Sequence, residues 1–331
     1  MICSDFLPPA FQSGEFDLEN AADQLLTQQM SEWPLAKRNF DALQQVENKI
    51  VEVEGFEMYV QCNPSRIVSS GAKVDAASIQ HRACFLCQSN RPEEQKEVDW
   101  QHQYELLVNP FPIFPRHFTI ASKQHVDQRI LEHFSDMLRL SEQLPSYVLF
   151  YNGPRCGASA PDHFHFQAGN KGFLPMEVQW ELWREKADEL VCEDDFWMRR
   201  LRSYPHAVLM MESSNAEKIT QWFEKLYHLM PKPDQETEPM MNILCVRHDQ
   251  TWRLWIFLRG KHRPACYFAD SEHRLLISPA AVDLSGVIIA PRYEDFQKIT
   301  ASDLATIFHE VSIDEASFDR LCHLLQHSMT E

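Results

Sequence analysis

The sequence predicts an α+β protein: an antiparallel sheet with covering helices, arranged as two related halves of which the second is degenerate. Three observations carry this. Residues 104–108 and 118–121 read as consecutive strands and are joined by a proline-rich link too short for the crossover that parallel strands require. Residues 130–144 then space their apolar side chains as a helix and lead into another strand at 147–151. Beyond residue 201 a strand, a helix and further strands recur at 207–211, 216–230, 242–247 and 252–258, an imperfect echo of the first order.

Taken in order, residues 1–50 carry helical patterning through Leu25, Met30, Trp33, Leu35 and Phe40, with Pro34 opening or interrupting a helix. Residues 51–60 alternate as a strand, and 63–78 read as a polar loop containing Gly71. These make an extension over residues 1–80. The first half follows over 81–200 and opens on two cysteines, Cys84 and Cys87, three positions apart. After the strand at 147–151 comes a turn-rich loop, Asn152 to Asp162, and a strand beginning at His163. Residues 180–201 read as helical, and the second half occupies 201–331, with strand-like stretches also at 275–278 and 287–289 and a helix over 303–329.

Composition bounds what such a fold serves. With 44% hydrophobic and 24% charged residues the chain is ordinary globular protein, and its 331 residues can bury a large core. The net charge of -17 argues against nucleic-acid and anionic-membrane partners, both of which need basic surface. No apolar run reaches the ~18 residues of a membrane span, and no basic segment followed by an apolar one opens the chain. A cytoplasmic location is the expectation. Nine cysteines at long, irregular spacings do not form a disulfide framework, so reduced thiols are expected.

The chemistry-bearing stretch is Asn152-Gly-Pro-Arg-Cys-Gly-Ala-Ser-Ala-Pro-Asp-His-Phe-His-Phe-Gln167. On a strand, His163, His165 and Gln167 share one face, ~7 Å apart at each step, while Phe164 and Phe166 face a core. Gly157 and Ser159 in the preceding loop are small enough to bring backbone N–H groups close to an anion. The arrangement suits a phosphate with an imidazole aimed at it. Arg259-Gly-Lys261-His-Arg263-Pro is the one dense basic cluster, suited to phosphate or to a solvated turn, and Lys171 is a further cation counted with the phosphate contacts. Cys84 and Cys87 have the spacing of half a zinc site. A redox pair, or two buried inert cysteines, are the alternatives for them.

Strand, proline-rich link, strand, His125, helix, strand, Asn-Gly loop and His163-Phe-His165-Phe-Gln167 together resemble the histidine-triad superfamily. The resemblance covers about 84–171 and points to its nucleotidyltransferase and phosphorylase branch, which includes galactose-1-phosphate uridylyltransferase, ATP adenylyltransferase and the GDP-hexose phosphorylases. It implies a histidine-triad-like sheet, and His165 as the nucleophile that takes up a nucleotidyl group. It implies Asn152, Gly157, Ser159 and Gln167 as contacts to the α-phosphate, although one more residue separates Ser159 from His163 than the transferase pattern has. Gln167 stands where the hydrolases carry a third histidine. An amide cannot relay a proton, which favours transfer or phosphorolysis over hydrolysis. Cys84, Cys87, His125 and His163 match the uridylyltransferase zinc ligands in type and order, implying a structural zinc, with His81 and His117 as substitutes. The implied partners are a nucleoside diphosphate sugar or other nucleotide, with inorganic phosphate or a sugar phosphate. Dinucleoside polyphosphate phosphorolysis is the alternative chemistry, and a non-catalytic zinc-containing nucleotide-binding protein the alternative class. Base, sugar and oligomeric state, a homodimer being one option, stay open.

Overall fold

The computed structural model describes residues 16–328 apart from 72–73, 203, 235 and 271; the helical patterning expected over residues 1–15, and Met329, lie outside that set. Thirteen strands are present among the described residues: β1 (Glu47–Val53), β2 (Phe56–Cys62), β3 (Glu97–Trp100), β4 (Tyr104–Val108), β5 (His117–Ser122), β6 (Tyr147–Asn152), β7 (His165–Asn170), β8 (Ala187–Glu193), β9 (Phe196–Leu201), β10 (Val208–Ser213), β11 (Met241–His248), β12 (Thr251–Leu258) and β13 (Val287–Ala290). Ten of them form one sheet in the order β3-β4-β5-β7-β6-β11-β12-β10-β9-β8. Every pairing in it is antiparallel.

That order contains a repeat. Three strands, a helix (Phe134–Gln143) and two strands make up β3 to β7, and the same sequence of elements around the helix Ala216–Leu229 makes up β8 to β12. Both sets take the same spatial order, and they meet edge to edge where β6 pairs with β11. Joining two five-stranded units at their inner edges removes two open edges and brings residues of both halves, Asn152 and Asn242, opposite one another.

Each face of the large sheet has its own core. One packs Phe164, Phe166 and Tyr104 under the helices Leu18–Glu32, Phe134–Gln143, Ala216–Leu229 and Glu315–His327. The other packs Phe114, Phe150 and Phe257 under the helix Ala301–Val311 and a small sheet in which β2 lies between β1 and β13. Adjacent side chains on β7 therefore enter opposite environments: Phe166 is fully buried in the first core, and Gln167 faces the second.

Six elements differ from the sequence reading. The strand expected to begin at His163 begins at His165, so His163 precedes β7 and only His165 and Gln167 of the expected three line a common cavity. The strand expected over 51–60 is instead the end of one limb and most of the other in a hairpin that reverses at Glu54 and Gly55, both at positive φ (51° and 85°). Glu-Gly hides such a reversal because glutamate rarely takes the left-handed conformation. The loop expected at 63–78 contains the short helices Pro64–Arg66 and Ile67–Ser70 and the start of Ala76–His81, the last capped by Asp75 accepting from the Ser78 amide at 2.9 Å. Helical spacing at 180–201 ends at Lys186; β8 and β9 follow, turning at Asp194 (φ 42°). A register shift between Glu189 and Val191 breaks the period-2 alternation that would have revealed the strands. Residues 275–278 pair with no strand, since the Leu275 and Leu276 amides donate to the Cys266 carbonyl and the Asp295 carboxylate. The C-terminal helix is two, divided at Ser312–Asp314, where Asp314 caps the second.

Candidate functional site

The His165 backbone is clamped before its side chain does anything. Gln128, wholly buried, accepts from the His165 amide at 2.8 Å and donates to the His165 carbonyl at 2.9 Å and the Asn152 carbonyl at 3.0 Å. One side chain thus fixes the start of β7 and the end of β6. The imidazole Nδ1 lies 2.8 Å from the His163 carbonyl, which can only accept, so Nδ1 carries the proton and Nε2 keeps its lone pair. Burial pushes the pKa of His165 down to about 4, so the ring is neutral near pH 7.

Gln167 is oriented by a second histidine. The Ile113 amide donates to Nδ1 of His117 at 3.1 Å, so the His117 proton is on Nε2, which donates to Oε1 of Gln167 at 3.0 Å. Asn109 also donates to that oxygen, at 3.4 Å, and to Thr119 at 3.2 Å. With its oxygen so used, Gln167 turns its NH2 outward as a donor. His117 is fully buried and its pKa is pushed to about 3 by burial and by the nearby Arg66 charge, which keeps the relay neutral. It is no metal ligand, against the expectation that it could stand in for one; nor is His81, which belongs to no metal-binding group of the described residues.

Both His165 and Gln167 line a cavity of about 650 Å³. Its floor is a row of side chains across four strands, Leu107, Thr119, Gln167 and Phe150, opposite one another in register. Gly157, Ala158 and Ser159 form one wall. Gly157 sits at φ 99°, and a Cβ there would meet Ala280 at 2.5 Å, so the loop approaches the second half as only glycine permits. Arg66 and Arg82 reach the cavity from the N-terminal side, and Arg263, stacked 4.2 Å from the centre of the Tyr267 ring, from the other. In a chain of net charge -17 this is a local concentration of cations.

The remaining expected phosphate contacts have other work. Arg259 is buried, and all five of its N–H donors meet oxygens: those of Val311, Pro279, Lys261 and His262, and Oδ1 of Asn242. It holds the seam between the halves and has no donor left for a phosphate. Asn242 in turn donates to Oδ1 of Asn152 at 2.7 Å, and that oxygen also accepts from the Ala281 amide at 2.9 Å, so Asn152 lines the cavity chiefly as part of the seam. Lys261 is exposed and pairs with Glu310 at 3.5 Å. Lys171 donates to the Arg247 carbonyl; six residues along β7 from His165, it lies ~20 Å away.

The four residues expected to hold a metal converge. Ligand atoms of Cys84, Cys87, His125 and His163 lie within 4.8 Å of one another, and the group could bind a metal. Cys84 Sγ is 3.3 Å and Cys87 Sγ 3.5 Å from His163 Nδ1, and Cys87 Sγ is 3.2 Å from His125 Nδ1. An ion ~2.3 Å from sulfur and ~2.1 Å from nitrogen, tetrahedrally held, would set such edges at ~3.5 Å. His163 Nε2 donates to the Ser122 carbonyl at 2.7 Å, leaving Nδ1 as the ligand atom. Burial alone would raise the Cys84 thiol, but hydrogen bonds from His163 and from the Leu86 and Cys87 amides bring it down to about 6, toward the thiolate a metal needs. Asp162, which the sequence offered no reason to single out, pairs with Arg82 and lies 3.9 Å from His125 Nε2, behind the ligand.

Comparison with known proteins agrees with this geometry. Residues 25–170 match the family model described as a domain of unknown function (DUF4922), and residues 187–331 match the GDPGP1-like, C-terminal domain. The chain is 26% identical over 169 residues to galactose-1-phosphate uridylyltransferase of Halalkalibacterium halodurans, covering 44% of this chain and 31% of the relative. It is 29% identical over 106 residues to diadenosine 5',5'''-P1,P4-tetraphosphate phosphorylase 2 of Saccharomyces cerevisiae, covering 26% and 32%. In both sequence matches the chain is similar to nucleotidyltransferases and phosphorylases of the histidine-triad-like kind. Its matches thus span about a third of the length of those curated relatives. The fold is also that of yeast Ap4A phosphorylase Apa2 solved with Ap4A, at a TM-score of 0.60, 14% identity, and coverage of 88% of this chain and 97% of that one. No helix among the described residues is long and apolar enough to cross a membrane.

Proposed function

We propose that the protein is a nucleotidyltransferase or phosphorylase that acts on a nucleoside diphosphate sugar through a covalent nucleotidyl group on Nε2 of His165. The observation that carries this is the pairing of a neutral imidazole, its Nδ1–H held by the His163 carbonyl, with an amide donor, Gln167, locked by His117 on the same strand face. Nε2 attacks the α-phosphorus; the P–N bond forms as the bond to the bridging oxygen breaks, and sugar 1-phosphate leaves as an anion that needs no proton. An oxygen of inorganic phosphate, or of another sugar phosphate, then attacks the same phosphorus and releases Nε2. The Gln167 NH2 donates to a non-bridging oxygen where charge builds. Water is a poor acceptor here, because Gln167 cannot take its proton.

Cys84, Cys87, His125 and His163 would hold zinc as a structural ion, two thiolates and two imidazoles leaving no open position for chemistry. The eight cysteines among the described residues are free thiols, in keeping with residence in the reducing cytoplasm. Dinucleoside polyphosphate phosphorolysis is the second reading, favoured by the yeast relative's name and using the same His165 chemistry. A panel of radiolabelled nucleoside diphosphate sugars and a dinucleoside tetraphosphate, each with phosphate, followed by product analysis, separates the two. Absence of protein-bound label with every donor would overturn both.

A further inference from the structure

With Arg259, Lys261 and Lys171 committed elsewhere, the cation that serves the incoming phosphate must come from another part of the chain. We propose that Arg66 holds the phosphate dianion of the acceptor, inorganic phosphate or the phosphate of a sugar 1-phosphate, across the cavity from His165. This rests on the nucleotidyl transfer proposed above and adds the residue that fixes the second substrate.

The segment that supplies Arg66 and the helix Pro34–Leu43 are together pinned to the proline-rich link by three successive carbonyls. Asn39 donates to the Pro110 carbonyl at 2.7 Å, Arg66 Nη1 to that of Phe111 at 2.7 Å, and Asn63 to that of Pro112 at 3.0 Å. Two of these carbonyls belong to prolines, which have no N–H of their own and leave the link without a regular ladder, so the side chains supply its partners. The same link reaches the catalytic face directly. The Phe111 amide donates to Oδ1 of Asn109 at 3.0 Å, and Asn109 donates to Gln167. Arg66 is thus two hydrogen-bonded residues away from the amide that meets the α-phosphate, and it lines the same cavity.

What remains on Arg66 points to an anion. Its Nε is buried without any hydrogen-bond partner, an expensive vacancy for a charged group. The carboxylate whose field reaches it, Asp283, accepts from the Ala280 and Ile289 amides at 2.9 Å each and makes no ion pair with it. A phosphate oxygen met by the cavity-facing side of the guanidinium would balance its charge in the planar geometry that arginine offers and lysine does not. Arg82, which also lines the cavity, is already paired with Asp162, and Arg263 donates to Ser278 at 3.0 Å.

The test uses the full-length protein and the variant Arg66→Met, which keeps the apolar stem, with Arg66→Ala as a second neutral variant should packing fail in the first. Equilibrium dialysis with labelled inorganic phosphate should show binding about 10- to 100-fold weaker in the variant, the value of one lost charge-assisted contact. Protein carrying labelled nucleotide, formed from a nucleoside diphosphate sugar, should need about the same factor more phosphate, and more hexose 1-phosphate, for half-maximal release of label. A shift with only one acceptor identifies that one as the ligand of Arg66. Unchanged dialysis and unchanged release in a folded neutral variant would overturn the role of Arg66. Failure of the unaltered protein to take up label would instead overturn the covalent reading, while the dialysis still decides whether Arg66 holds phosphate.

Discussion

His117 donates from Nε2 to Oε1 of Gln167 at 3.0 Å, and because its Nδ1 accepts from the Ile113 amide it has no freedom to do otherwise. A buried neutral histidine here sets the polarity of the Gln167 amide, which in the reaction proposed above would meet the transferring phosphoryl group. Replacing it with leucine would leave Gln167 able to flip and present its oxygen to the phosphate.

We expect His117→Leu to lower the transfer rate about 10- to 100-fold, somewhat less than deleting a transition-state donor outright. His117→Gln, which can accept from Ile113 and donate to Gln167 at once, should recover most of that loss. Steady-state rates for the two variants, with unfolding midpoints to show that both are folded, check the claim. Equal rates in the two variants would remove His117 from the mechanism.

Much of the site was legible because its residues are contiguous. Asn152 to Gln167 carries the cavity loop, the imidazole proposed as nucleophile and the amide in one stretch, and period-2 alternation assigns Phe164 and Phe166 to the core without any structure. Arg66, His117 and Gln128 were not legible in that way. Each acts through a partner 37 to 50 residues distant, as Gln128 does on His165 and His117 on Gln167, or through a proline-rich link with no pattern of its own. Arg259 misled for a different physical reason: sequence shows charge but not whether its five donors are already satisfied. The fold followed the same division. Strands that read as continuous apolar runs, such as β6 and most of β12, were plain, whereas the bulge in β8 and the Glu54-Gly55 reversal erased the period that would have announced two hairpins.

The Cys84–Cys87–His125–His163 group should retain about one zinc per chain through purification without chelator. Cys84→Ser should lose the ion and lower the unfolding midpoint, because His163, two residues before β7, is then no longer tied to the 84–87 loop. Metal analysis alongside thermal unfolding reads both. Zinc-free protein with an unaltered midpoint would show that the four residues merely pack together.

Glu238 gives a pH signature remote from the metal ligands. Its buried carboxyl accepts from the Tyr151 hydroxyl at 2.5 Å and the Ile130 amide at 2.9 Å, yet burial outweighs these and raises its pKa to about 7. The folded state therefore binds this proton more tightly than the unfolded chain. Its contribution is fully present below the unfolded value of ~4.5 and is lost as pH rises to about 7, by at most ~3 kcal/mol. Glu238→Gln should remove that slope and be the more stable form at pH 8. Urea unfolding of both forms between pH 4.5 and 8 measures it, and parallel curves would refute it.

The covalent step makes the sharpest division between neighbouring residues. The His165 side chain makes one hydrogen bond within the protein, to the His163 carbonyl, whereas its backbone is held by Gln128 irrespective of side chain. His165→Ala should therefore keep its fold and its metal while losing both nucleotide labelling and turnover. His163→Ala removes a ligand atom from the two thiols and a donor from the Ser122 carbonyl, so metal content and stability should fall together. In the unaltered protein the label should form from a nucleoside diphosphate sugar alone, withstand base, be released by acid as a phosphoramidate is, and exchange with added sugar 1-phosphate. Full turnover by a folded His165→Ala protein would exclude nucleotidyl transfer through this imidazole, and the cavity would then be read as a binding site held beside a structural metal.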